Sequence, residues 1–498
     1  MGIVKFRRMK PQTLRLVLSV AAVSWCAILR PFPRIPVGGN TIQTRASAPN
    51  DSDIQAQYRY WRNSFVVEYP GEACVAENTV RTSPPDPGFL TNPDMCVSSE
   101  LSYGMLLAVY LDNDSNSTHA LFDKFLATRE KYTASNGLCG WEWAWTRIDS
   151  SSHKDTLFGP HSATDAELDA ALALLLASRQ WNDDTYRQRA KKLLDAIWKW
   201  ELDSTLNLKP GDDWDSAKNP SYLNFAAFHV FSSADSPRWD SLAANSWRLL
   251  WSNISPDGVT FQLPSDWCTR TGVPCLKTPG SLNTDKIFHS NAIRVPWRLA
   301  IDESWYGDAA AKTIDSTIAA WASSPWSTTG GDVRNLTYEY FLDGTPAAYG
   351  SLPSFTAGAF GSAGLVDGQF QAWVDSCYSY LSHSHEGGGY LASLNLLHQL
   401  LMAGQFENLW ASATTSVSSG KRGFRHAPSR EGVAFRVESI SPPRLLDISG
   451  RPVPSVVQRT ARGNWLVRPE PFTRGILLVE GTDGSGHPFA EPTPNLSR

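Results

Sequence analysis

The stretch Ser162-Ala163-Thr164-Asp165-Ala166-Glu167-Leu168-Asp169, running on to Trp181, decides how the chain is read. Ser162, Thr164 and Asp165 carry short side-chain oxygens suited to a helix entry, and the acids at 165 and 167 suit the positive end of a helix dipole. Behind them, apolar residues recur at helical spacing from Ala166 to Arg179. The same spacing predicts helices over Tyr103–Leu111, Thr185–Trp200, Pro237–Trp251, Ala292–Ile301, Ala309–Trp321, Gln369–Leu381 and Tyr390–Ala403, joined by loops rich in Gly, Pro, Asn and Asp. About a dozen helices between Ala56 and Ser416 imply one all-α domain with its chemistry on the connecting loops.

The chain has 498 residues, 42% hydrophobic and 19% charged, too apolar for a disordered protein. Length alone suggests about three domains, or one large domain with an appendage. Forty-five basic against 49 acidic side chains leave a net charge of −4, so no general attraction to nucleic acid is expected. No uninterrupted run of 18 apolar residues exists, which excludes a multi-span membrane protein. Tryptophan is abundant, 20 against 5 Met. Indole faces pack cores, and they also suit the apolar C–H faces of sugar rings.

Lys5, Arg7, Arg8, Lys10 and Arg15 precede a mostly apolar stretch, Leu16–Leu29, in the manner of a secretory signal. Ala46-Ser47-Ala48 is small enough for cleavage. Residues 1–48 are therefore expected to be a signal peptide and disordered lead, and the mature protein secreted, periplasmic or at the cell surface without stable membrane insertion; an uncleaved anchor is the alternative. Beyond Cys26, six cysteines remain, an even number that permits disulfides: Cys74, Cys96, Cys139, Cys268, Cys275 and Cys377. Cys268 and Cys275 close a short loop and are the first expected pair, Cys74 with Cys96 the next. None has C-x-x-C spacing and there are 10 His, so no metal and no other cofactor is expected.

Residues 419–432, basic and without apolar periodicity, read as a linker. After it, Val433–Val437 and Gly475–Val479 read as strands, with Ser449-Gly450-Arg451-Pro452 as a turn, so 433–498 is expected to be a small β-sandwich-like domain. Its pattern LLDISGRPV … GNWLV … TRGILLVEG resembles the C-terminal sorting domains of bacterial secretion systems; a small accessory β-domain of another kind is the alternative.

Five pieces, the opening stretch among them, stand in order along the chain. They are Val97-Ser98-Ser99-Glu100-Leu101-Ser102-Tyr103-Gly104-Met105, the stretch from Ser162 to Trp181, Asn219-Pro220-Ser221-Tyr222, Asn291-Ala292-Ile293-Arg294-Val295-Pro296-Trp297-Arg298, and Tyr390-Leu391-Ala392-Ser393-Leu394-Asn395-Leu396-Leu397 closing with Ala403-Gly404-Gln405-Phe406. Together they resemble glycoside hydrolase family eight. That resemblance implies an (α/α)6 barrel over 49–418 and inverting cleavage of a β-1,4-linked glycan. Such cleavage needs a protonated carboxyl for the leaving oxygen and a carboxylate to activate water on the opposite face, the two about 6.5–9.5 Å apart.

The departures from the family fall on those two groups. The family's acidic Glu aligns with Ser99, and Glu100 takes the place of a Gly. One helical step turns a side chain by about 100°. A hydroxyl is too weak an acid, so Glu100 is the expected general acid, with a solvated or capping carboxylate as the alternative. Asp165 matches the Asp that binds sugar at the cleavage point, and Glu167 replaces a second Asp. Asn291 stands where most members carry the base; an amide orients water but takes no proton at neutral pH. The segment 264–290 offers Asp266 and Asp285 as substitutes, and Asp285, closer in sequence, is preferred; loop-capping is the alternative for both.

Arg294 is expected to pair with a carboxylate of the site and to bind substrate, while Trp297 and Arg298 are packing residues. Trp141, Trp143, Trp145, Trp214, Tyr222, Tyr338 and Tyr340 are expected in loops lining a sugar cleft, with Trp145, Trp214, Tyr222 and Tyr340 placed among the substrate-binding residues; core packing is the alternative for each. The expected activity is endo-β-1,4-glucanase on a soluble or amorphous glucan. A chitosanase is the rival within enzymes, raised by Asn291. An inactive carbohydrate-binding relative is the rival of another class, raised by both altered positions.

Overall fold

The computed structural model describes Phe32 and residues 44–47, 51–77, 93–113, 116–275, 286–347 and 351–411, with the backbone of seven strands after them. The expected signal segment and Asp285 lie outside the described residues.

Among the described residues, twelve α-helices alternate between two roles. The even-numbered ones are α2 (Ser98–Leu111), α4 (Thr164–Gln180), α6 (Phe225–Ala234), α8 (Arg294–Tyr306), α10 (Pro353–Ala363) and α12 (Gly389–Met402). They are buried on nearly every face, as expected of helices without a polar side. Each packs on the next, and α12 closes on α2, so the six form a ring. The odd-numbered ones, α1 (Asp51–Ser64), α3 (His119–Lys131), α5 (Asp184–Trp200), α7 (Arg238–Ile254), α9 (Ala309–Ala322) and α11 (Gln371–His383), form the outer layer. In α5 a single stripe of Tyr186, Ala190, Leu193, Leu194 and Ile197 faces inward. Side-chain caps start two outer helices: Asp183 accepts the N–H of Thr185 at 2.8 Å, and Asp308 those of Ala310 and Ala311 at 2.8 and 2.9 Å. The body is an (α/α)6 barrel.

Short strands decorate one end of the ring. β1 (Val66–Tyr69) and β2 (Glu72–Val75) form a hairpin, and β3 (Asp94–Val97), β4 (Glu142–Arg147) and β5 (His153–Gly159) form an antiparallel sheet in that order. β6 (Ile287–Phe288) pairs with β7 (Tyr340–Phe341). This corrects the reading of Trp143, Trp145 and Tyr340 as loop residues. Trp145 sits in a central strand, is 0% exposed, and donates Nε1 to the Tyr132 hydroxyl at 2.7 Å. Tyr340 is also 0% exposed, packed edge-on against Trp321 and Phe360. Both belong to the core, because strand alternation turns them inward. Trp200, the last residue of helix Asp184–Trp200, is 40% exposed under the ammonium of Lys199.

The disulfide joins Cys74 on β2 to Cys96 on β3 and closes a sequence separation of 22. Cys268 and Cys275 are not joined to each other. Cys268 stands opposite Pro274, while Cys275 donates its N–H to Trp267 at 3.0 Å. Neighbours in such a ladder alternate faces, so the two sulfurs start out on opposite sides.

Residues 44–47, read as lead, are bonded to the barrel. Thr44 and Ala46 donate to the carbonyls of Leu365 and Met402, and Ser47 binds the Asp375 carboxylate through its N–H and hydroxyl. At the other end, β8 (Arg425–Ser429), β9 (Gly432–Val437), β11 (Ser455–Arg459) and β12 (Trp465–Pro469) form one antiparallel sheet. A second contains β10 (Arg444–Asp447), β13 (Leu477–Thr482) and β14 (Pro488–Pro492). β8 falls in the stretch read as linker; as an edge strand it tolerates Pro428 and a polar sequence.

Candidate active site

The heads of the inner helices meet at one end of the ring, and Arg294, in the first residue of α8, ties several of them together. Its guanidinium is paired with Asp165 in the first turn of α4. The same nitrogen reaches the Tyr103 hydroxyl at 3.1 Å, and the other terminal nitrogen donates to Asn291 Oδ1 at 2.9 Å. The Tyr222 ring lies 5.4 Å from the guanidinium carbon, and its hydroxyl is hydrogen-bonded to Asp165. Asp165 is only 4% exposed. Burial pushes the Tyr103 phenol up to about 12, with Arg294 pulling against the rise and the Asp169 and Asp165 charges adding to it. Tyr390, at the head of α12, adds its hydroxyl to the Ser290 carbonyl at 2.6 Å.

Asn291 is fully held. Its Oδ1 accepts from Asn219 Nδ2 at 2.9 Å as well as from Arg294, and its Nδ2 donates to Asp266 Oδ2 at 3.2 Å. Asp266 in turn caps the turn before α8, accepting the N–H groups of His289, Asn291 and Ala292 at 3.0, 3.2 and 2.8 Å. Burial raises its pKa above the ordinary carboxylate value, and those backbone donors pull against the rise. The loop-capping alternative describes the geometry of Asp266.

Glu100 lies at the third position of α2, 2% exposed. The N-cap, Val97, is extended and offers no side-chain cap, and Glu100 does not supply one. Its carboxyl is instead hydrogen-bonded to that of Glu77, just past β2, and its Oε2 has no partner. Burial first, then the bond and charge of Glu77, hold its pKa well above the ordinary value. Ser99, one step earlier, is partly exposed.

The remaining expected residues divide by depth. Glu167 turns away from Asp165 to pair with Arg129 on α3 and accepts the Cys139 N–H at 2.7 Å. Arg298 makes a two-pronged pair with Asp169, both distances 2.8 Å, and Trp297 packs edge-on against His398 and Phe406. Both are support, as read in the sequence. Trp214 is partly exposed against Trp267, ring centres 4.9 Å apart, and Trp141, 42% exposed, accepts the Ser98 N–H through its carbonyl beside the head of α2. Tyr338 is partly exposed beside His289. Among the described residues, His161, Asp212 and Asp213 place ligand atoms within 4.8 Å of one another, on the surface.

Glu77 escaped the sequence reading because no motif surrounds it. Tyr103, Asn219 and Tyr390 stood inside quoted motifs without being singled out.

Residues 91–334 match the family described as Glycosyl hydrolases family 8. The chain belongs to glycosyl hydrolase family 8. This family-8 chain is 27% identical over 408 residues to Endoglucanase 2 of Ruminiclostridium josui, covering 79% of this chain and 81% of that one. Its fold is similar to that of a beta-1,3-1,4-glucanase from Paenibacillus sp. X4, with a TM-score of 0.65 at 22% identity over 76% of this chain and 99% of that chain. A cold-adapted family 8 xylanase follows, with a TM-score of 0.57 at 20% identity over 74% and 97%. The family-8 protein is thus a glycosyl hydrolase. No helix among its described residues is long and apolar enough to cross a membrane.

Proposed function

We propose that this chain is a secreted endo-β-1,4-glucanase that degrades its polysaccharide by single displacement with inversion. Glu100 serves as general acid, Asp165 binds the sugar at the cleavage point and helps to hold water, and Asn291 orients that water. Asp285, just before the described Lys286, supplies the base. Arg294, Tyr222 and Trp214 contact the sugar. The observation that carries the reading is a buried carboxyl, Glu100, whose pKa burial and the Glu77 carboxyl hold well above the ordinary value, at the same end of the ring as the Asp165–Arg294 pair. Inverting hydrolysis needs such a proton for the leaving oxygen.

The names of the endoglucanase and the beta-1,3-1,4-glucanase support a β-glucan substrate. The amide at Asn291 favours a second reading, a chitosanase. The basic and apolar leader supports export, and the tail over 433–498, after the linker 419–432, is read as a sorting domain.

Reducing-sugar release from carboxymethyl cellulose, xylan and chitosan, with wild type and Glu100→Gln, tests the reading. The rate is expected to be highest on the glucan and to fall about 10²- to 10⁴-fold in the variant. Proton NMR of the first product is expected to show the inverted anomer. Release from chitosan alone overturns the substrate, and an undiminished variant rate overturns the acid.

A further inference from the structure

Glu77 lies where three elements meet. Its N–H donates to Met95 on β3 at 3.0 Å, and its carbonyl accepts the Gly389 N–H at 3.4 Å. Its side-chain Oε2 accepts the N–H of Tyr390 at 2.8 Å, in the first turn of α12, where a helix dipole favours an anion. Gly388 makes the approach possible, since a Cβ there would collide with the Glu77 carboxyl group. The Cys74–Cys96 bond and the Ala76–Cys96 bridge fasten this segment beside β3, whose end leads directly into α2. Fixed in this way, the carboxyl of Glu77 meets that of Glu100 in a hydrogen bond. Two ionised carboxylates have no hydrogen to donate, so a bond between them requires one shared proton.

We infer that Glu77 is a positioning residue for the acid step: its anchored carboxylate holds the proton on Glu100 between turnovers. This rests on the reading of Glu100 as the acid. Oε2 of Glu77 is occupied by the Tyr390 N–H, and in the inferred arrangement the Glu100 hydroxyl donates to the Glu77 carboxyl. In the step, Glu100 passes that proton to the glycosidic oxygen as its bond to the anomeric carbon breaks. Water oxygen forms the new bond to that carbon, and its proton goes to the base. Glu77 and Glu100 are then two like charges in contact, and their repulsion draws a proton back from solvent. The elements around α2 carry other ionisable groups, namely Asp165 and Glu167 on α4, Arg129 on α3, Tyr390 on α12, Asp94 on β3 and Glu142 on β4. Among the described residues, Glu77 is the one whose charge acts on Glu100.

The test is the pH profile of kcat/KM on carboxymethyl cellulose for wild type, Glu77→Gln, Glu77→Asp and Glu100→Gln. Removing the charge at 77 is expected to move the alkaline limb down by about one pH unit, with turnover persisting on the acid side and KM unmoved. The Asp variant returns the limb toward the wild-type position. A Glu77→Gln limb that coincides with wild type, beside an inactive Glu100→Gln, overturns the inference and leaves the acid in place. An active Glu100→Gln overturns the acid instead. A folded Glu77→Gln without activity at any pH also overturns the inference, since Glu77 would then be the donor. Should Glu77→Gln fail to fold, difference infrared spectra of wild type against Glu100→Gln report on the proton directly. A protonated carboxyl at neutral pH supports the inference, and its absence overturns it.

Discussion

Asn291 donates its Nδ2 to the Asp266 carboxylate at 3.2 Å, and this bond fixes which way the amide faces. Its oxygen is thereby committed to Arg294 and Asn219. The local structure accommodates an amide at this position and would resist the carboxylate that most family members carry.

Restoring the usual residue by Asn291→Asp is therefore expected to destabilise the protein. The new carboxylate would face Asp266, whose pKa burial already raises. A carboxyl whose pKa is raised by folding costs nothing below its unfolded value near 4 and costs progressively more as pH climbs toward the folded value. Thermal melts should show a loss of about 1–3 kcal/mol at pH 7 that shrinks toward pH 4. A loss independent of pH would contradict the account.

Asp315 on α9 gives the opposite case. It is fully buried, neither oxygen has a hydrogen-bond partner, and burial followed by the charge of Glu303 holds its pKa well above the ordinary value. The same sign applies, so Asp315 weakens the fold as pH rises from about 4. Asp315→Asn is expected to raise stability by about 1–3 kcal/mol at pH 7 and to gain little at pH 4. Melting curves at the two pH values check this; destabilisation at pH 7 would refute it.

Reducing the bond between Cys74 and Cys96 should lower the melting temperature. Freeing a loop of this length removes about 3 kcal/mol in the chain-entropy account. A double Cys74→Ser, Cys96→Ser variant should melt at the reduced temperature and ignore reductant. If reductant changes the variant as much as the wild type, another bond is responsible.

The inner helix α4 (Thr164–Gln180) was legible because large apolar residues repeat in it and acids mark its start. The inner helix α10, Pro-Ser-Phe-Thr-Ala-Gly-Ala-Phe-Gly-Ser-Ala, escaped because its small residues serve close approach, as where Gly358 touches the His398 ring, and leave no apolar stripe. Asp165, Arg294 and Asn291 were legible as a group, since their motifs place them at helix heads. Trp145 and Tyr340 were misplaced because a strand of six residues, or of only two, leaves too short a pattern to tell from a loop. Glu77 could not be found in the sequence at all: what brings it to Glu100 is a disulfide, a hairpin and a helix more than 300 residues further along.

The ring closes only when α12 settles between α1 and α2, elements from opposite ends of the domain. Contacts this distant in sequence form late, because the intervening chain must first be brought together. The last helix also delivers the backbone N–H that anchors Glu77. On the role inferred for Glu77, a half-assembled polypeptide lacks the anchor of its acid, which is supplied by the same contact that completes the ring.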